Sequence, residues 1–294
     1  MSSQQVILVT GASTGFGRLF AETLARRGHI VFATMRDPQG RNAPNAEALR
    51  AISGVHVLEM DVTDDASVGR AVDSCLQHAG RIDVAINNAG YGLIGLAETC
   101  TTEQVRRIMD TNFLGAVRVN RAVLPAMRRQ HSGLLIHISS GAGRVVFPGF
   151  GLYCATKFAM EALAESYHYE LAEQGIESCL VEPGAYKTEV FANMVAGSDI
   201  TRAETYGAVA EIPGKINAVL SSSNADPQQV ADVVLTIVET PAGQRQLRYR
   251  VSATSSRVDE INRLCAEVQS GILNQLGLTA DTTFTQRSSA ASAA

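Results

Sequence analysis

Short apolar runs alternate with amphipathic segments along the first two thirds of the chain. The runs are rich in β-branched residues and carry no alternating polar face, which is typical of strands buried on both sides. Predicted strands cover residues 6–10, 30–34, 55–60, 82–86, 134–138 and 176–181. The segments between them repeat apolar residues at helical spacing. This alternation predicts βαβ units, and therefore an α/β fold in which helices cover both faces of a doubly wound parallel sheet.

Start and stop signals bound the predicted helices. Gly28 ends a first helix that begins after Gly15 and Gly17, and Asp64 caps a helix that runs through Leu76. One further predicted helix begins at residue 102 and continues past residue 117, with Asn112 as a polar interruption. Two others cover residues 46–52 and 153–173.

The regular alternation ends near residue 183. Residues 185–225 are too apolar for a disordered linker and too irregular for a sheet layer, so they are predicted to be an insertion beside the site: either a substrate lid or a packing and oligomer-contact excursion. A helix over 227–239, a possible edge strand over 247–251 and a C-terminal helical extension over 255–284 follow. We therefore expect one domain over residues 1–284 with about seven strands, and a disordered tail over 285–294.

Composition narrows the class of protein. A chain of 294 residues that is 46% hydrophobic can bury a sizeable core. A net charge of −4 offers no basic field, which argues against nucleic acid and anionic membrane as partners. Five cysteines without a C-x-x-C pair indicate reduced thiols rather than a disulfide framework or a metal site. Without a signal core or a membrane span, we expect a soluble, cytoplasmic protein.

Ligands of doubly wound sheets bind at the carboxyl ends of the strands. In this sequence those ends are followed by Gly11, Arg36, Asp61, Asn88, Ser140 and Pro183. The first of them opens a turn, residues 10–17, that holds three glycines between a strand and a helix. Such a turn lets a dinucleotide phosphate approach the backbone at a helix N-terminus, although an ordinary βα turn is the alternative.

Tyr153 and Lys157 are separated by four positions, so on a helix they share one face. A nearby cation favours the phenolate, and the pair can therefore exchange protons near neutral pH. By itself this spacing also fits an ordinary helix with a snorkelling lysine. Cys154 has no histidine near it in sequence and is interpreted as a small apolar residue, and His137 as a core histidine.

Five motifs occur together in order. They are the T-G-x-x-x-G-x-G turn of residues 10–17, Asn87-Asn88-Ala89-Gly90, Asn112, Ser140 and Tyr153-x-x-x-Lys157. The set closely resembles the short-chain dehydrogenase/reductase family over residues 5–190. The resemblance implies a Rossmann-like domain, a nicotinamide dinucleotide cofactor and the interconversion of a carbonyl and an alcohol.

The resemblance also implies roles for individual residues. Ser140, with Ser139 as second choice, would hold the substrate oxygen, and Tyr153 would exchange a proton with it. Lys157 would bond the nicotinamide ribose and lower the pKa of Tyr153, and the Asn112 side chain would hold a water against Lys157. Implied cofactor contacts are Gly11, Ser13, Thr14, Gly15, Phe16, Gly17, Arg36, Asp61, Val62, Asn88, Ala89, Gly90, Tyr153, Lys157, Pro183, Gly184 and Thr188. No metal is expected.

The end of the second strand bears on the choice between NAD and NADP. NAD-dependent relatives carry an acidic residue where this chain has Met35, and Arg36 can offer a planar fork to a 2′-phosphate. Thr14 stands where many NADP-dependent relatives carry a basic residue, and Asp37 is an alternative partner for the ribose. We expect NADP(H) to be preferred.

Residues 32–37, 112–115 and 153–159 resemble the branch that contains 17β-hydroxysteroid and retinol dehydrogenases. With residues 92–93, 145–150 and the insertion on the pocket side, we expect a bulky hydrophobic ketone, aldehyde or secondary alcohol. A cofactor-binding regulator without catalysis and a nucleotide-sugar epimerase or dehydratase remain alternatives. The family resemblance also implies a homodimer or homotetramer formed through the two long helices.

Overall fold

A computed structural model describes residues 3–186, 188, 194–252, 257–280 and 282–284. The tail predicted over 285–294 lies outside the described residues, as do six residues of the insertion.

Seven strands form one parallel sheet. Described strands are β1 (Val6–Val9), β2 (Ile30–Met35), β3 (Val55–Glu59), β4 (Val84–Asn87), β5 (Leu93–Ile94), β6 (Gly133–Ile138), β7 (Ile176–Pro183), β8 (Val195–Ala196) and β9 (Arg248–Val251). The main sheet has the order β3-β2-β1-β4-β6-β7-β9, and each neighbouring pair is parallel. The order reverses between β1 and β4, which places a crevice at their carboxyl ends. The predicted doubly wound sheet is confirmed, including its late edge strand.

Helices cover both faces of this sheet. Described α-helices are α1 (Gly15–Arg26), α2 (Ala43–Arg50), α3 (Asp65–Ala79), α4 (Thr102–Met109), α5 (Gly115–Gln130), α6 (Gly151–Glu170), α7 (Ile200–Glu204), α8 (Ile212–Ser221), α9 (Gln228–Glu239) and α10 (Val258–Leu276). Asp64 caps α3 by accepting a hydrogen bond from the Ala66 amide, as its sequence position predicts. No helix in the described ranges is both long enough and apolar enough to cross a membrane.

The non-alternating apolar runs are explained by two cores, one on each face of the sheet. Along β1, Ile7 and Val9 pack into the core beneath α1 and α9, whereas Val6 and Leu8 pack into the core beneath α3 and α5. Successive side chains of a strand point to opposite faces, so both sets must be apolar when both faces are covered.

The long helix predicted from Thr102 changes its pitch at the residue expected to interrupt it. Residues Asp110–Leu114, which include Asn112, form a π-helical turn between α4 and α5, and the Gly115 amide bonds back to the carbonyl of Asp110. Thr101 and Gln104 close a capping box at the start of α4. The π-helical turn packs against α6, and because it is wider than an α-helical turn, the residues after it lie differently against α6 than in a regular helix.

The insertion contains regular structure, which corrects the expectation that it is too irregular for a sheet. Its strand β8 pairs with β5 in a second, two-stranded parallel sheet, with Leu93 opposite Val195 and Ile94 opposite Ala196. It also contains α7 and α8. A strand of two residues is too short to show a hydrophobic pattern of its own, and its partner lies about a hundred positions away in the chain.

Candidate active site

The glycine-rich turn after β1 is packed too tightly for side chains. Gly11 and Gly15 adopt positive φ values of 65° and 56°. A Cβ added to Gly11 would lie 2.9 Å from the Cα of Ala89, and one added to Gly17 would lie 2.3 Å from the carbonyl oxygen of Gly11. The turn therefore brings bare backbone to the N-terminus of α1, whose first turn has no acidic residue.

Asn88 holds this turn in place. Its Nδ2 donates to the carbonyl oxygens of Thr10 at 2.8 Å and Gly11 at 3.1 Å. The Thr10 hydroxyl in turn accepts hydrogen bonds from the amides of Asn88 and Ala89. The Asn88 and Ala89 pair thus fixes the shape of the turn, and Gly90 continues along the crevice as part of the cavity wall.

The polar turn residues and the end of β2 lie at one edge of the crevice. Ser13, Thr14 and Phe16 are partly buried along the turn. Arg36 is exposed directly after the buried Met35.

Asp37 faces its own loop. Its φ is 48°, and its carboxylate accepts a hydrogen bond of 2.9 Å from the Arg41 amide. A Cβ added to Gly40 would lie 2.5 Å from both carboxylate oxygens, so the loop closes tightly over this side chain. The carboxylate is therefore already engaged by backbone within residues 37–41.

Asp61 and Val62 follow β3. Asp61 accepts hydrogen bonds from the Thr63 amide at 2.9 Å and the Thr63 hydroxyl at 2.7 Å. Burial raises the pKa of Asp61, but these hydrogen bonds and the charges of Arg36 and Arg41 outweigh it, and the net pKa is lowered. Val62 is buried.

Tyr153 and Lys157 lie on α6, in the first two turns, and both line a cavity of about 510 Å³. The Lys157 Nζ lies 5.7 Å from the Tyr153 ring centroid and donates a 2.8 Å hydrogen bond to the carbonyl of Ile138. Burial lowers the pKa of Lys157 to about 8, and the charge of Glu161 opposes that shift. Burial raises the pKa of Tyr153, and a hydrogen bond with Ser140 opposes it. Burial is the largest influence on the Tyr153 pKa and the net shift is upward, and the lowering by Lys157 that the family resemblance implies stays a prediction.

The two candidate serines face different surroundings. Ser140 begins the 3-10 turn Gly141–Gly143, accepts a hydrogen bond from the Ala142 amide, and lies beside Tyr153. Ser139 is buried and lies near Glu161, whose pKa is raised mainly by burial and lowered in smaller part by Ser139 and the charges of Arg248 and Arg144. Both serines line the cavity, and Ser140 is the one whose hydroxyl interacts with Tyr153.

Asn112 joins the π-helical turn to α6. Its Nδ2 donates to the carbonyl of Tyr91 and to the hydroxyl of Thr156, and its Oδ1 accepts from the Tyr91 amide. Thr156 passes the connection on by donating to the carbonyl of Tyr153 at 2.8 Å. The Asn112 amide is thus bonded to Tyr91 and Thr156, and a water between Asn112 and Lys157 stays a prediction.

The segment after β7 closes the crevice opposite the glycine-rich turn. Pro183 ends β7, the amide of Gly184 bonds to β9, and Thr188 lines the cavity. Phe16 and Tyr186 contact each other edge to face with ring centroids 5.9 Å apart. This aromatic pair connects the two sides of the crevice.

Apolar side chains form the remaining wall of the cavity. They are Val145, Phe147, Phe150, Met194, Ile216 and Leu220. Within the predicted segment 145–150, Val146 points outward and is 64% exposed. Val258 and Ile261 of α10 also line the cavity, a contact that sequence reasoning missed. Their spacing in the sequence is typical of one face of a helix, but the sequence does not show that this face lines the cavity.

The family model described as short chain dehydrogenase matches residues 5–199. The chain belongs to this family, which confirms the resemblance. A nicotinamide cofactor is supported by a solved short-chain oxidoreductase that was crystallised with NADP.

Three curated relatives illustrate the branch. The 3-ketodihydrosphingosine reductase of Bacteroides thetaiotaomicron is 43% identical over 184 residues, which are 63% of this chain and 65% of that protein. The human 17-beta-hydroxysteroid dehydrogenase type 1 is 35% identical over 258 residues, covering 84% of this chain and 77% of the relative. Human retinol dehydrogenase 8 is 33% identical over 282 residues, covering 90% and 88%. The resemblance to the hydroxysteroid and retinol dehydrogenase branch is thus confirmed.

Solved structures show the same architecture. A short-chain dehydrogenase from Streptomyces avermitilis superposes with a TM-score of 0.75 at 32% identity, covering 96% of this chain and all of the other. A metagenomic short-chain oxidoreductase in complex with NADP gives a TM-score of 0.67 at 26% identity, covering 86% and 99%.

Proposed function

We propose that the protein is an NADP(H)-dependent oxidoreductase that interconverts a carbonyl and an alcohol on a bulky hydrophobic molecule. The observation that carries this proposal is the convergence of Ser140, Tyr153 and Lys157 on the wall of one largely apolar cavity, which continues to Asn88 and Gly90 beside the glycine-rich turn. Two hydroxyls and an ammonium in an apolar enclosure suit a reaction in which an oxygen gains or loses a proton.

The residues present fit a dinucleotide. A bare glycine backbone at the start of α1 suits a pyrophosphate, since helix N-termini bind anions. Proposed cofactor contacts are Gly11, Ser13, Thr14, Gly15, Phe16, Gly17, Arg36, Asp61, Val62, Asn88, Ala89, Gly90, Tyr153, Lys157, Pro183, Gly184 and Thr188. When bound, the nicotinamide supplies a hydride to a carbonyl carbon, or accepts one from an alcohol carbon.

The protein's own residues manage the proton. Ser140 donates a hydrogen bond to the carbonyl oxygen and orients it toward the Tyr153 hydroxyl. Because burial keeps Tyr153 protonated, its phenol can release a proton to the oxygen as negative charge develops there. The Lys157 ammonium then stabilises the phenolate until a proton from solvent restores it. In the oxidative direction the same groups act in reverse.

The preference for NADP is proposed from the loop after β2. Asp37 is held by the Arg41 amide, whereas Arg36 is exposed and pulls the pKa of Asp61 down, so its charge reaches the crevice edge. Arg36→Ala should raise the KM for NADP at least tenfold and the KM for NAD less than twofold. Arg70→Ala, an exposed arginine on α3, serves as the control. A tenfold preference of the wild type for NAD would contradict the proposal.

The substrate class is proposed from the cavity wall. Met194, Ile216 and Leu220 come from the insertion, which supports its role as a substrate lid over residues 185–225. Oxidation of NADPH should be followed with a panel of steroid ketones, retinaldehydes, aromatic ketones and a long-chain 3-keto sphingoid base, the last chosen because one relative is a 3-ketodihydrosphingosine reductase. Leu220→Asp should raise the KM for the best substrate at least tenfold. Hydrophilic aldehydes as better substrates would contradict this class.

A homodimer or homotetramer through the long helices is also proposed. Leu114 in the π-helical turn and Phe158 on α6 are each 40% exposed, which supports an apolar contact at these helices. Light scattering coupled to gel filtration should give a mass of two or four chains. A monomer at micromolar concentration would contradict it.

Tyr153→Phe tests the chemistry. We expect at least a hundredfold loss of kcat while the dissociation constant for NADPH, measured by fluorescence, changes less than threefold. Tyr167→Phe removes a hydroxyl from the same helix and should keep wild-type kcat. More than a few per cent of activity in Tyr153→Phe would refute the assignment. No turnover by the wild type across the panel would favour a cofactor-binding regulator, and turnover without net change in the cofactor would favour an epimerase or dehydratase.

A further inference from the structure

Arg248, on the edge strand β9, lies against three carboxylates. Its Nε is 3.1 Å from Glu161 and 3.2 Å from Glu182, and its Nη2 contacts Glu165. Its side chain is 8% exposed, and the three carboxylates are 17% exposed or less. A guanidinium can serve several carboxylates at once because its donors point in fixed and different directions.

A second arginine connects this group to the loop that carries the catalytic serine. Arg144 immediately follows the 3-10 turn that Ser140 begins, and its Nη1 lies 3.9 Å from Glu165. A Cβ added to Gly143 would lie 2.8 Å from the Ser139 Oγ and 2.9 Å from the Glu161 Cγ, so both side chains border this turn. We call Arg144, Arg248, Glu161, Glu165 and Glu182 the ionic cluster.

The C-terminal helix is attached to the same cluster. Asn262 of α10 donates to Glu182 at 2.9 Å, and Gln269 donates to Glu165 at 2.5 Å. One turn before Asn262, Val258 forms part of the cavity wall together with Ile261. The ionic cluster therefore joins a wall of the substrate cavity to the serine loop and to α6.

Charge balance makes Arg248 the central member. The cluster holds three carboxylates and two guanidiniums, and Arg248 contacts all three carboxylates. Burial and, second, the charge of the nearby Glu161 raise the pKa of Glu182 to about 7, so the carboxylates crowd one another. Buried ion pairs add little net stability over apolar packing but restrict the geometry of the groups they join.

The members of the cluster adjoin the reacting groups along the chain. Glu161 lies one helical turn after Lys157, Ser139 precedes Ser140, and Glu182 precedes the Pro183 that ends β7. We propose that Arg248 is a positioning residue: through the ionic cluster it holds the serine loop and α6 in the reactive arrangement and ties that arrangement to the α10 wall of the cavity. Its effect on turnover rests on the proposed function, whereas its effect on the serine loop does not.

Arg245 provides a matched control. It is also buried and paired with a carboxylate, Glu177, but that pair lies at the opposite end of β7, and Arg245 bonds backbone carbonyls of α9 rather than the serine loop. Arg248→Gln and Arg245→Gln should lower the melting temperature to a similar extent. Only Arg248→Gln should increase hydrogen exchange of the amides in residues 139–147, by tenfold or more.

The kcat of each variant is measured with the best substrate of the panel. Arg248→Gln should lower kcat at least tenfold while changing the NADPH dissociation constant less than threefold, and Arg248→Lys should recover part of kcat. Arg245→Gln should keep kcat within twofold. Exchange of residues 139–147 is measured without turnover, so it tests the positioning role even if no substrate is found.

Equal exchange at residues 139–147 in the two glutamine variants would overturn the proposal, as would wild-type kcat in Arg248→Gln. If Arg248→Gln does not fold, Asn262→Ala replaces it, because this change removes only the α10 link to Glu182. It should raise exchange at residues 139–147 about threefold, and unchanged exchange there would overturn the proposal.

Discussion

Gly17→Ala should damage the protein twice, through the fold and through cofactor binding. The added methyl would lie 2.3 Å from the Gly11 carbonyl oxygen and 2.6 Å from the Asn88 Nδ2, about 1 Å closer than an ordinary contact of roughly 3.5 Å. The first neighbour is backbone, so the turn itself must move. Overpacking of this kind costs about 1–3 kcal/mol, and the better helix propensity of alanine returns about 1 kcal/mol. We expect a net loss of up to about 2 kcal/mol in unfolding free energy.

The same displacement should weaken cofactor binding if, as proposed, the dinucleotide lies against the backbone of this turn. A loss of about 1.4 kcal/mol raises the NADPH dissociation constant tenfold. Urea unfolding and NADPH fluorescence titration measure the two effects. Gly69→Ala is the control: its methyl meets nothing within 4 Å on α3, so it should stabilise the protein by about 0.5–1 kcal/mol and leave affinity unchanged. Wild-type NADPH affinity in Gly17→Ala would refute the reasoning.

Three further predictions follow from buried groups. Thr156→Val removes the hydroxyl that connects Asn112 to the backbone of Tyr153, so kcat should fall several-fold and the unfolding free energy by about 1–3 kcal/mol. Unchanged kcat and unfolding free energy would contradict this connection. The pKa of Glu182 is raised to about 7, so this carboxyl contributes stability that is fully present below pH 4.5 and is lost as the pH rises through 7. In urea unfolding, we expect the wild type to lose up to about 3 kcal/mol relative to Glu182→Gln between pH 4 and 8. A constant difference between the two proteins would contradict this. Ile136→Ala, in the fully buried strand β6, should cost about 2–5 kcal/mol in urea unfolding, and less than 1 kcal/mol would contradict the packing.

The sheet could be predicted because its signals are local. Each buried strand carries its own apolar run, and Ile7 and Leu8 differ only in which covered face they meet. The interruption at Asn112 was equally visible as a polar residue inside an apolar helix pattern. Its partners were not, because Tyr91 and Thr156 are brought to it by the fold across 21 and 44 positions.

The orientation of side chains accounts for most of what the sequence could not predict. From the sequence, the Asp37 side chain could contact the cofactor ribose or stay within its own loop. In the structure its φ is 48°, and the side chain faces its own loop. Arg248 lies in a segment where charged residues ordinarily meet solvent, and nothing near it in sequence indicates three buried carboxylates. Lys157 was placed correctly on the cavity wall, but its direction toward Ile138 depends on how α6 meets β6.

The late position of Arg248 has a consequence for synthesis of the chain on the ribosome. It follows Glu161 by 87 positions, which take about 4–17 s to translate at 5–20 residues per second. β9 is made only at the end of this interval, so it cannot cover the outer edge of β7 before then. Glu161, Glu165 and Glu182 lack the Arg248 guanidinium until the same point. The ionic cluster can therefore form only after β9 has been made.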